Sequence, residues 1–217
     1  MNGADEVITM FRPVGLIELG LIYDSEMKEF PPRLPQQPIF YPVLNRNYAS
    51  QIAEKWNTQS APGFAGYVTK FDVRRNHAAQ FHTQTVGNST HQELWVPAER
   101  LAEFNAAIVG RIETVDGYFG AEFVGFVPDQ FGLRGKNAVD QFTCLAAMFD
   151  YSGMDFICET GANAKAVFLN YPFWTTHDFG SHRISKETQN QIIDAITDLW
   201  AKRFPGVSLC DCRRKRL

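Results

Sequence analysis

Long hydrophobic runs are missing from the sequence and cysteines are few. Apolar stretches such as Leu145 to Phe149 and Ala166 to Leu169 fall far short of the roughly 18–20 residues that a membrane-crossing helix requires. The four cysteines, Cys144, Cys158, Cys210 and Cys212, are too few and too uneven for a disulfide scaffold, and they lack the paired C-x-x-C spacing of a zinc knuckle. They read as reduced thiols. Cys210 and Cys212, close to a basic terminus, are open to three readings: redox-sensitive, metal-binding, or part of an inert frayed end. The opening MNGADEVITM carries acids where an export signal carries bases, so a cytoplasmic location is expected. No Gly-rich phosphate loop, G-x-S-x-G elbow, H-E-x-x-H or EF-hand loop occurs. The histidines, His77, His82, His91, His177 and His182, form no i, i+3 or i+4 pair on a predicted helix, and the acids do not cluster. No metal site is expected.

The composition is that of a globular protein. Hydrophobic residues make up 45% of the 217 and charged residues 21%, and 18 phenylalanines supply bulky apolar groups that a disordered chain does not carry. The net charge of −3 conceals an asymmetry. Four of the 21 basic residues lie in the last five positions, leaving 17 bases against 24 acids in residues 1–212. A body this acidic lacks the electrostatic footprint of a general nucleic-acid binder, so a protein partner is expected ahead of a nucleic acid. The basic tail reads as a solvated end.

Periodicity gives the element order. Residues 8–14 read as a strand and GLIELGLIYDSEM as a short helix. PPRLPQQP, with four of the 11 prolines, reads as an extended connector, and 39–43 as a second strand. Asn45 is the expected N-cap of a helix over 47–57, with Tyr48, Ile52 and Trp56 on its apolar face. Strands are expected at 63–73, 80–87 and 93–97, then a helix from Pro97 closed by Gly110. Beyond 111 the pattern predicts a buried helix over 139–151, two strands in MDFICET and AVFLNYPFWTT, and a final helix opened by Ser185 with Ile192, Ile193, Ile196 and Trp200 along one stripe. Trp56, Trp95, Trp200 and the cluster Tyr171, Phe173, Trp174 read as core. The expected class is α+β, on mixed or antiparallel sheets, with one domain at 1–112 and a smaller α+β accessory part at 113–217.

Arg12 at the end of the first strand, Tyr41 in the second and Glu93 at the start of a later one form an ordered set. With RPVGLIELGLI, IFYPVLNRNYASQIA and QELWVPAERL around them, they resemble the ADP-ribosyltransferase-like fold, distantly similar to poly(ADP-ribose) polymerase catalytic domains, over residues 8–110. A small bacterial family filed under ADP-ribosylation/crystallin J1 is a further likeness, although the helical, Asp-rich glycohydrolases that carry this label differ from this chain on both counts. The resemblance implies that consecutive sheet positions build one nicotinamide pocket, with NAD as substrate. Arg12, Pro13, Tyr41 and Tyr48 would bind the cofactor, and Glu93, Tyr41 and Arg12 would act in catalysis. Arg12-Pro13 replaces the family's His-Gly pair, and Ile52 replaces a second stacking tyrosine.

The residue types suit that chemistry. Cleaving the nicotinamide–ribose bond builds positive charge on the sugar, which a carboxylate such as Glu93 stabilises. Tyr41 offers a flat face for nicotinamide, and Arg12 a fork for phosphate oxygens. Each also has an ordinary role available, as half-buried strand residue, surface charge or strand-end cation. The expected function is therefore an ADP-ribosyltransferase or NAD glycohydrolase acting toward an unknown acceptor. A catalytically inactive nucleotide- or protein-binding module of the same fold, or a toxin/antitoxin-like component, is the alternative.

Overall fold

The computed structural model describes residues 6–87 and 91–215. Residues 1–5, half of the opening read for an export signal, the middle of the 87–92 loop and the end of the basic tail lie outside them. The class is mixed α+β. Val7–Gly15 forms β1, Leu16–Asp24 α1, Ile39–Phe40 β2 and Arg46–Lys55 α2; Ala65–Arg74 forms β3, Arg75–Ala78 α3, His82–Thr85 β4 and Gln92–Pro97 β5. Leu101–Ala106 (α4) and Ile108–Phe119 (β6) follow, and then four helices, Ala138–Tyr151 (α5), Gly153–Ala162 (α6), Ala164–Thr176 (α7) and Lys186–Arg203 (α8).

Two antiparallel three-stranded sheets, ordered β1-β3-β6 and β2-β5-β4, meet through a single residue. Val43 pairs with Phe11 on one side and with Glu93 on the other, exchanging both backbone hydrogen bonds with Phe11 at 2.8 and 2.7 Å. The segment that continues β2 thus lies between β1 and β5. Past Val43 toward Phe40, no further bridge joins β1 to β2, and the sheets part.

Side chains alternate across a strand, and this sets the two faces of the β1 sheet. Met10 and Val14 point into the main core beside Phe40, Leu94 and Val96, whereas Phe11 packs with Val43, Tyr48, Ala49, Ala53 and Val68 in a small second core under α2. The side chain of Asn45 caps α2, accepting from the backbone N–H of Asn47 and Tyr48. The helix turns Tyr48, Ala49 and Ala53 to the sheet rather than the stripe Tyr48, Ile52, Trp56; Trp56 is exposed. Small residues allow the close approach: a Cβ on Gly66 of β3 would lie 2.1 Å from the Ala53 carbonyl oxygen.

The C-terminal half corrects the sequence reading. MDFICET and AVFLNYPFWTT are helical, as α6 and α7. Helix α7 is enclosed, with Val167, Phe168, Leu169, Tyr171 and Trp174 all buried, so it has no polar face to reveal a 3.6-residue period, and a short apolar run of this kind mimics a strand. The helix from Pro97 stops at Ala106, and Gly110 stands inside β6. A boundary at 112/113 therefore falls within a strand paired to β3, and one core runs from Met10 to Trp200. Ser185 caps α8 through the N–H of Thr188, in agreement with expectation.

A buried amide network ties the irregular segment after β6 to α7. Asn170 accepts from the Phe126 N–H at 2.8 Å and donates to the Phe126 carbonyl and to Gln141 Oε1, both at 2.9 Å. Gln141 donates in turn to the Phe126 and Lys136 carbonyls. Asn170→Leu leaves the Phe126 N–H and Gln141 Oε1 unpaired and should cost about 2–4 kcal/mol. Urea denaturation measures this, and an unchanged midpoint would contradict it.

Candidate functional site

The expected site residues fall on two faces. Cross-strand register, with Ile39 opposite Pro97 and Phe40 opposite Val96, sets Tyr41 beside Trp95, and the two rings stand edge to face at 5.6 Å and 84°. Glu93 shares that face two residues before Trp95. The Tyr48 hydroxyl, reaching down from α2, donates to Glu93 Oε1 at 2.7 Å. His91 lies flat on the Tyr48 ring, with centroids 4.0 Å apart and planes 9° from parallel. Tyr41, Tyr48 and Glu93 are thus gathered with Trp95 and His91 on the α2 face.

Burial, followed by the Glu93 hydrogen bond and charge, pushes the Tyr48 phenol up to about 12. It stays a neutral donor across the physiological range. One carboxylate oxygen of Glu93 is therefore held in place by a neutral donor. A fixed carboxylate beside flat aromatic faces suits stabilisation of a positively charged sugar ring.

Arg12 stands apart from this group. It alternates with Phe11 and Pro13, so its side chain enters the opposite face, where the sheets fork, with its guanidinium carbon 4.5 Å from the centre of the Phe40 ring. Nε donates to Glu18 at 2.9 Å and Nη1 to the backbone carbonyl of Tyr41 at 3.1 Å. The expected convergence of Arg12, Tyr41 and Glu93 on one cleft is therefore corrected: Arg12 hydrogen-bonds Tyr41 through its backbone carbonyl, and Glu93 lies across the sheet. Phe40, not Tyr41, faces the guanidinium.

Arg12 lines a separate cleft of about 510 Å3 with Pro13, Glu18, Arg33, Asn57 and Ser60. Arg33 approaches Glu18 at 3.6 Å, and its buried Nε has no hydrogen-bond partner among the described residues. Burial, and then the Arg12 charge, pull the Arg33 guanidinium below its ordinary value. Two guanidiniums thus share one carboxylate. Sequence reasoning missed Glu18 and Arg33, because only the fold of the proline-rich connector brings them to Arg12. It also set Trp95 in the core, whereas the residue is 36% exposed on the site's face.

Comparison with protein-family models, with curated proteins and with solved structures finds no match to this chain.

The Tyr48–Glu93 bond has a measurable signature. Below pH 10 the folded and unfolded chains both hold Tyr48 as a phenol; between 10 and about 12 only the unfolded chain sheds the proton. Stability therefore falls as pH rises through that window. Tyr48→Phe should make the alkaline loss of stability shallower in urea titrations between pH 9 and pH 12 (roughly the span of the shift). An unaltered slope would remove the basis for the shifted phenol.

Proposed function

We propose that this chain is an ADP-ribosyltransferase-like protein that binds NAD on the α2 face of its sheets and breaks the nicotinamide–ribose bond beside Glu93. The observation that carries the reading is the Glu93 carboxylate, steadied through Oε1 by Tyr48 and standing next to the Tyr41–Trp95 pair. The adjacency of β1, the segment after β2, and β5 through Val43 supports it as well, since the resemblance implies neighbouring strands. In this reading Glu93 stabilises the ribosyl cation, Tyr48 keeps that carboxylate oriented, and Tyr41 with Trp95 provides aromatic surface for a flat base. His91, stacked on Tyr48, marks the place that a nicotinamide ring would take in this reading. Arg12 braces the sheets and is not part of the reacting group. The acceptor is a protein ahead of a nucleic acid, given the acidic body of the chain.

Nicotinamide release from NAD, followed by chromatography, tests this. Wild type should release it, and Glu93→Gln should lose at least about 100-fold, the scale of removing one transition-state stabiliser, while keeping its circular dichroism. Release by Glu93→Gln at the wild-type rate, or none by wild type with protein acceptors supplied, overturns the catalytic reading.

A second reading is favoured by the Nε of Arg33, which has no hydrogen-bond partner among the described residues. The cleft at the sheet fork would hold the phosphates of a nucleotide, and the chain would be a binding module without turnover. Its size falls within the usual range of small-molecule sites, about 300–1,000 Å3. Calorimetry with NAD separates the two: under this reading Arg33→Ala should weaken binding about tenfold or more, the scale of a lost charge-assisted bond, with Glu93→Gln neutral. Arg33 is the better probe, since Arg12 also holds the Tyr41 backbone.

A further inference from the structure

The sulfurs of Cys210 and Cys212 lie 3.6 Å apart, and both residues are buried, at 6% and 4% exposure. Neither belongs to a frayed end. The Cys212 N–H donates to Thr175 Oγ1 of α7 at 3.2 Å. Arg213 donates to Asp211 and to Asp194 of α8, with a closest approach of 2.7 Å to each. The segment is thus fastened on both sides to the helical half, with its two thiols turned toward each other. Among the described residues no group of three His, Cys, Asp or Glu side chains gathers as a closed zinc or iron site would require.

We propose that Cys210 and Cys212 form a reversible intramolecular disulfide, a redox-sensitive modification site at the base of the C-terminal tail, with glutathione disulfide as the oxidant. Residues two apart have Cα atoms at most about 7 Å from each other, a reach that overlaps the roughly 4.4–6.8 Å a disulfide spans. The sulfurs need only close by a side-chain rotation, and packing already holds them near. Cys212 also lines a polar cavity of about 770 Å3 with Arg46, Ser50 and Thr176, which gives the oxidant a way in.

The step balances. The Cys212 thiolate attacks glutathione disulfide, forming a mixed disulfide and releasing one glutathione. The Cys210 thiolate then attacks the Cys212 sulfur, closing the protein disulfide and releasing the second glutathione. Two thiol hydrogens leave the protein as the thiol protons of the two glutathiones, and two electrons reduce the oxidant. A ring closed over one intervening residue restrains the unfolded chain little and is strained, so the bond is readily reduced and acts as a switch, not a staple.

The full-length chain, equilibrated in glutathione buffers of stepwise ratio, should lose alkylation by iodoacetamide at Cys210 and Cys212 together. Peptide mapping should show the joined peptide lighter by two hydrogens, and dithiothreitol should restore both thiols. Exposed Cys158 and half-buried Cys144 serve as internal controls. In Cys212→Ser the joined species must vanish; should that variant not fold, the wild-type mapping decides alone. Independent alkylation of the two thiols in the most oxidising buffer, a stable glutathione adduct on either, or oxidation only as dimers through Cys158 would overturn the proposal.

Discussion

The structure turns on the junction where Val43 joins two antiparallel sheets and Arg12 fills the gap beyond it. Val43 pairs on both sides, but the next backbone positions of β1 and β2 diverge, leaving polar groups without ladder partners. A buried carbonyl left unpaired costs about as much as a lost hydrogen bond. The Arg12 guanidinium meets that need: Nη1 takes the Tyr41 carbonyl and Nε takes Glu18, while its flat face rests on Phe40. A buried charge is tolerable only when paired and hydrogen-bonded, and here both conditions hold. The arginine that sequence resemblance assigns to a cofactor is first a structural brace.

The same junction fixes which residues work together. With Val43 opposite Phe11 and Glu93, the period of two along each strand sends Phe11 and Glu93 toward α2 and Arg12 toward the main core. No rotamer change reverses that. Only a one-residue slip would do so, and it would also expose Met10, Val14 and Leu94, which the core holds almost fully buried. The separation of Arg12 from Glu93 is therefore a property of the fold, as is the meeting of Glu93 with Tyr48. Gly66 and the alanines of α2 contribute by letting the helix lie close enough for Tyr48 to reach β5.

Elements with local signals were legible in the sequence. β1 announced itself by its β-formers, α2 by Asn45 at its start, and α8 by Ser185 and the Ile192, Ile193, Ile196, Trp200 stripe. Of the ordered set Arg12, Tyr41 and Glu93, the strand period of two puts Tyr41 and Glu93 on one face, with Tyr48 bonded to Glu93. What failed depends on distant parts of the chain. α7 hides its period because neighbours cover it on every side. Trp95 and Trp56 resemble core residues until the sheet and helix faces are assigned. Arg12's placement depends on a strand register that no local window contains. Glu18 and Arg33 carry no motif at all, and their pairing with Arg12 exists only once the proline-rich connector folds back over α1.

The central claim is that the reactive surface is the α2 face around Glu93 and not the cleft at the fork. A crystal structure of the chain soaked with NAD tests this most directly. The account predicts ligand density on the α2 face, with the nicotinamide-bearing ribose within hydrogen-bond reach of Glu93 and His91 displaced from the Tyr48 ring. Density confined to the Arg12–Arg33 cleft, with Glu93 untouched, would contradict it.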